Sequence, residues 1–332
     1  MPIRHEFWVP HVPRIWGHGK PRTYLSCYIN DSVTASFPFR FPLLACALAF
    51  APVPALSIQA QTPLTAAQVM ARVIQATGAT PPANTVDTLK AGDPNTVVTG
   101  VATTFMDTYA VLQQAVTHGK NLIITHEPTF YNHPDDLTTI APDPVQQQKL
   151  DYIAAHHLVV WRFHDTWHLR RPDGILEGVV DEFGWKPYQN PTEPNLFTLP
   201  PTTVRQLAAT LQARAGSRSI RIVGDGNMTV THIALLPGAS GLVKQVRMLE
   251  RDDVEVLVAG ESAEWEGVEY AQDAAAEGRH KALILLGHEV SEEAGMQFCA
   301  QWLKGILPGM PIEFIKAGEP FQTPWSLAST PH

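Results

Sequence analysis

From residue 97 onward, short apolar runs alternate with amphipathic stretches, and this alternation limits the possible folds more than any other feature of the chain. Residues 97–105, 121–126, 158–164, 220–225, 231–238, 254–260, 281–288 and 311–315 read as strands. Residues 65–78, 107–118, 144–156, 174–183, 202–215, 240–250, 267–278 and 292–305 read as helices. Several strands, NLIITH, VEVLVAG and KALILLGH among them, are apolar at almost every position, as expected for strands buried on both faces. The order implies α/β architecture with largely parallel or mixed sheets. The Pro/Asn-rich segment 187–201 is the expected boundary between two similar βαβ-containing lobes, 61–190 and 200–322, with a cleft between them and a tail at 323–332.

The first sixty residues do not fit that pattern. Pro2, Pro10, Pro13 and Pro21 are scattered through a stretch without helical or strand period, and Arg40 then precedes the apolar run FPLLACALAFAPVPAL. That run has the length of a signal-peptide core, and small residues before Gln61 offer a cleavage site. We therefore read 1–60 as a mis-assigned lead, with translation beginning nearer Val33, plus a signal peptide. Export to the periplasm or medium is expected, with a cytoplasmic protein as the alternative. Pro42, Pro52 and Pro54 argue against a buried first helix. The whole chain carries a formal charge of −8. The leader holds five basic and two acidic residues, so its removal leaves −11. An acidic chain without a Lys/Arg cluster is not expected to grip nucleic acid through phosphates. No apolar run after residue 60 reaches the roughly 20 residues of a membrane span. Cys27 and Cys46 fall in the leader, leaving Cys299 to act as a small buried hydrophobe.

Three apolar strands end in a histidine followed by an acid: His126-Glu127, His164-Asp165 and His288-Glu289. Chance composition gives about 1.3 such neighbours in a chain like this, and here three sit where an open α/β sheet binds its ligands, beyond the carboxyl ends of the strands. Glu292 follows His288 by four residues, with Ser291 placed to cap the next helix, and His168 follows His164 by four. Imidazoles and carboxylates without thiolates suit Zn, Mn or Fe and exclude a thiolate site. Paired ions ~3.5–4 Å apart use this many ligands and activate water for hydrolysis. A single ion on His126, His288 and Glu292 is the simpler alternative.

The same residues carry a family resemblance. Over roughly 85–322 the chain resembles the NIF-three (Ngg-interacting factor three) family of GTP cyclohydrolase type-two-like dinuclear metal-centre proteins. The match rests on NLIITHEPTFY, FHDTWH, VAGE, the Gly287-His288-x-x-x-Glu292 spacing and the ending IKAGEPF. The resemblance implies two divalent metal ions (Zn, Mn or Fe) held by His126, Glu127, His168, His288 and Glu292. It implies His164 as a proton-transfer residue, Asp165 as its orienting acid, and Glu261 as an acid facing the cleft. It further implies a toroidal homohexamer and a small, nucleotide-like substrate. Two positions depart from the family pattern: its second histidine is Glu127 here, and its aspartate is His168. One imidazole is lost and one gained, which we read as a compensated exchange, with Asp165 the alternative ligand should His168 not serve.

Other signals are weaker. Gly238-Ala239-Ser240-Gly241 lacks nucleophile-elbow spacing, and Gly224-Asp225-Gly226-Asn227 reads as a hairpin turn rather than a dinucleotide fingerprint. His156 and His157 read as surface, His133 as lying near the cleft mouth, and Trp161, Trp167 and Trp185 as core. The expected function is a dinuclear metal-dependent hydrolase. The alternative is a non-catalytic metal-binding scaffold of the same fold.

Overall fold

The computed structural model describes residues 63–322. The leader proposed for 1–60 and the tail at 323–332 lie outside the described residues.

Nine helices and ten strands build two mixed sheets among the described residues. The first half runs α1 (Ala66–Thr77), β1 (Leu89–Ala91), β2 (Val101–Thr104), α2 (Tyr109–Thr117), β3 (Leu122–Thr125), α3 (Pro144–Ala155), β4 (Val159–Arg162), α4 (Asp165–Leu169) and α5 (Gly174–Phe183). The second runs β5 (Leu196–Thr203), α6 (Val204–Ala215), β6 (Arg221–Val223), β7 (Thr229–Leu236), α7 (Leu242–Leu249), β8 (Val256–Ala259), α8 (Glu269–Ala276), β9 (Ala282–Leu285), α9 (His288–Ile306) and β10 (Ile312–Phe314). The first sheet has the order β1-β4-β3-β2-β10, parallel except for β1. The second has the order β5-β7-β8-β9-β6, with a parallel centre and antiparallel edges.

The apolar strands explain the layering. Successive side chains point to opposite faces, so Leu122 and Ile124 join one core while Ile123 joins another with Val111, Leu112 and Ile153 of α2 and α3. In β8, Val256 and Val258 share the first core, and Leu257 packs with Leu249 and Ala271 of α7 and α8. The large shared core therefore lies between the sheets and is filled by α1, α5, α6 and α9. Trp161, Trp167, Trp185 and Cys299 are buried in it, as expected from the sequence.

Local chemistry accounts for several boundaries. Thr65 and Gln68 form a reciprocal capping box on α1, and Thr203 and Gln206 do the same on α6. Four readings from sequence are corrected. Helix α9 starts at His288 behind Gly287, so Ser291 is not its cap. The Ser291 hydroxyl lies inside the helix, donating to His288 O and accepting from Gly238 N. Residues 224–227 are not a hairpin, because β6 pairs with β9 whereas β7 pairs with β5 and β8. Part of the 187–201 segment is not a linker but the edge strand β5, whose Pro200 and Pro201 fall at a register shift where ladder bonds are missing. Finally, β10 pairs in parallel with β2 of the first sheet, although it lies at the end of the second half of the sequence.

Candidate metal centre

The carboxyl ends of β3, β4 and β9 meet. His126 is the residue after β3, and its backbone N–H donates to Thr104 O and Phe105 O. His164 stands two residues after β4 and His168 one turn further on, in α4. His288 opens α9 and places Glu292 one turn along. The rings of His126, His164 and His168 form a trio with centroid separations of 4.5, 5.0 and 5.0 Å.

Each imidazole of the trio has its Nδ1 committed elsewhere. His126 Nδ1 donates to Phe163 O at 3.2 Å, His164 Nδ1 to Asp165 at 2.9 Å, and His168 Nδ1 to Asp173 at 2.9 Å. Such a bond fixes tautomer and ring orientation and leaves Nε2 as the lone-pair donor. Potential ligand atoms of His126, His164 and His168 all lie within 4.8 Å of one another, and so do those of His126, Glu127 and Glu292. The two groups share His126. His126 Nε2 is 3.5 Å and His288 Nε2 3.1 Å from the same oxygen, Glu292 Oε2, and His168 Nε2 is 4.0 Å from Glu292 Oε1. Glu127 Oε1 lies 3.6 Å from His164 Nε2 and 3.5 Å from His288 Nε2. Glu261 Oε1 sits 3.6 Å from His288 Nδ1.

Burial and charge prepare these groups differently. Burial, reinforced by the neighbouring His164 and His168, holds His126 well below the usual histidine range, so it is a neutral donor at pH 7. Burial and His168 also lower His164. Burial opposes the charging of His168, but Asp173 and Glu292 overcome it and raise its pKa. For His288 burial is likewise outweighed by Glu127, Glu261 and Glu292, which push it up to about 12.

These residues fit a divalent cation. His126 is fully buried, and its Nε2 has no hydrogen-bond partner, a cost that a buried polar atom bears only when something else satisfies it. Gly238, in the left-handed region at φ +67, faces the Glu292 carboxylate at a distance where any Cβ would collide with it. That glycine makes a cradle for the carboxylate.

The eight site residues read from sequence therefore gather at one place, with some changes of emphasis. His164 offers its free nitrogen to the same group as His126 and His168, so it too could hold a metal ion. Asp165 is turned away: Oδ1 accepts from His164, and Oδ2 accepts from Thr85 Oγ1 and Val86 N. It orients His164 and is not placed to replace His168. Glu261 touches only His288 within the group and is half exposed. Sequence reasoning missed Asp87, which takes the backbone N–H groups of His164, Asp165 and Thr166, and Asp173, which caps α5 and holds His168. It also missed Arg162, whose signal was a charge within an otherwise apolar strand. A cavity of about 1340 Å³ opens onto Glu127, His164, His168, His288 and Glu292, with Lys244 and Arg247 elsewhere on its wall. His133 also lines it, as expected, and His156 and His157 are exposed.

Fold and site together define an α/β protein with a buried histidine–glutamate group able to hold a metal ion. The chain belongs to the Duf34/NIF3 (NGG1p interacting factor 3) family, whose description matches residues 84–320. The fold is shared with a Staphylococcus aureus hypothetical protein at 18% identity and TM-score 0.64, covering 79% of this chain and 100% of that one. It is also shared with a Bacillus cereus protein related to NIF3 at 12% identity and TM-score 0.64, covering 79% and 99%. Reduced HcgD from Methanocaldococcus jannaschii is similar at 13% identity and TM-score 0.54, covering 77% and 98%. A comparison with curated proteins finds no match. No helix among the described residues is long and apolar enough to cross a membrane.

Proposed function

We propose that this chain is a hydrolase using two divalent ions of the Zn, Mn or Fe type. The observation that carries this reading is the pair of overlapping ligand groups sharing His126, whose Nε2 has no hydrogen-bond partner. His126, His164 and His168 would hold one ion, and Glu127 and Glu292, which form a second group with His126, would hold the other with His288 beside them. Two such ions supply Lewis acidity and a more acidic water for attack on an ester, amide or phosphate.

The chain's own residues supply the rest. Asp165 and Asp173 lock the rings of His164 and His168, so little ordering remains when a cation binds. Glu261, half exposed beside His288 Nδ1, is the carboxylate available to move a proton. Lys244 and Arg247 on the cavity wall offset the negative charge of the chain and suit a small, anionic, nucleotide-like substrate. Export through the leader and assembly into a homo-oligomer belong to the same proposal. N-terminal sequencing of protein recovered from the cell envelope and light scattering test them.

A second reading has its own support. The ligands come from strand ends of both sheets, so bound ions would tie the two halves together in a non-catalytic scaffold. Metal analysis of the purified protein with a panel of esters, cyclic amides and phosphates separates the two. The hydrolase reading expects two ions per chain and chelator-sensitive turnover. Full occupancy without turnover, with loss of assembly on chelation, favours the scaffold, and one ion per chain supports the single-ion alternative.

A further inference from the structure

Arg162 ends β4, the strand between β1 and β3, and is fully buried. A guanidinium in such a position is costly unless its charge and donors are satisfied. The other three positions of the strand are buried and apolar, so the fold alone does not call for a cation there. Its partners all lie in the segment that follows β3. Nε donates to His126 O at 3.0 Å, and Nη1 donates to His133 O and lies 3.5 Å from Asp135 Oδ2. Nη2 faces Glu127 Oε2 at 3.4 Å. Asp135 is meanwhile shared with Lys90 at 3.0 Å.

The two oxygens of Glu127 are thereby separated in role. Oε2 faces the guanidinium, and Oε1 faces His164 and His288. A planar fork suits this task better than an ammonium, because it can reach a carboxylate and two carbonyls in fixed directions. We propose that Arg162 is a positioning residue of the metal centre, clamping Glu127 by one oxygen so that the other is presented to the cation, and supplying the counter-charge for that buried acid. The role presupposes the cation-holding centre proposed above.

The test is a double-mutant cycle read by competition between a chromophoric chelator and the full chain for Zn²⁺ alone. Arg162→Met is expected to weaken Zn²⁺ binding about 10–100-fold. In a Glu127→Ala background the same change is expected to cost less than about threefold, because the group it acts through is gone. Equal losses in both backgrounds would assign Arg162 to general support of the strand and overturn the proposal, as would unchanged or tighter binding in Arg162→Met. Should Arg162→Met fail to fold, Arg162→Lys keeps a cation without the fork, and a weakening that disappears with Glu127→Ala is again expected. A wild-type chain that binds no Zn²⁺ overturns the centre itself, an outcome distinct from equal losses in a chain that binds it.

Discussion

At the scale of single residues, the centre depends on which nitrogen each imidazole leaves free. His168 stands where the family resemblance gives an aspartate, and its Nδ1 is held by Asp173. His168→Ala is therefore expected to lower bound metal from two ions to one in elemental analysis. Asp165→Asn should keep two ions and weaken one of them about tenfold, because His164 is the one candidate ligand that Asp165 orients. Loss of an ion in Asp165→Asn with none in His168→Ala would reverse the two roles. Protons supply an independent check. Without a cation His288 is held charged by three carboxylates, up to about 12, so metal binding must release its proton, whereas neutral His126 releases none. Affinity should then rise at least about tenfold per pH unit through neutrality. One proton from His288 and a further fraction from His168, whose pKa is also raised, should be released per chain in calorimetry across buffers of different ionisation enthalpy. The histidine–acid doublets were legible because they are contiguous in sequence. Their supports were not: Thr85 and Asp87 act on residues about 80 positions away, a pairing that only folding creates.

At the scale of elements, the inner strands were legible and the edges were not. β3, β8 and β9 are continuous apolar runs because both faces are covered. β1, at the edge of its sheet, is three half-buried residues, and β5 contains two prolines, so neither carries a strand pattern. The position of α9 follows from a close crossing with α5 that the sequence shows only as isolated glycines. A Cβ on Gly178 would collide with the α9 backbone at Ala294 and Gly295, and one on Gly295 would meet Ile175 of α5. Gly178→Ala should therefore destabilise the fold by about 1–3 kcal/mol through overpacking. Because α9 carries His288 and Glu292, it should also weaken metal binding, unlike an alanine at exposed Gln147 of α3. A Gly178→Ala protein with unchanged melting temperature would show that the crossing has slack.

At the scale of the molecule, the two halves are joined by the returning end of the chain. After β10 pairs with β2, Glu293 of α9 accepts from Ala317 N and Gly318 N, and Glu319 accepts from Arg218 N beyond α6. Glu182, near the end of α5, is drawn into the same junction. Burial raises its pKa to about 7, Lys316 opposes the rise, and Glu293 adds to it. The sign of its contribution follows by linkage. The folded chain holds this proton up to about pH 7, whereas the unfolded chain releases it near the ordinary value of 4.5. Its stabilising contribution is therefore full below about pH 4.5 and is lost as pH rises through 7. Buried Asp107, raised to about 6 by burial against the pull of Lys149, acts in the same direction over a lower window. Glu182→Gln removes one of these two slopes and leaves the other. Denaturant unfolding of chelated wild type and Glu182→Gln should show the variant gaining stability relative to wild type between pH 5 and 8, by on the order of 1–3 kcal/mol. A constant difference across that range would mean that Glu182 is ionised throughout, and that the junction between the halves is open to water.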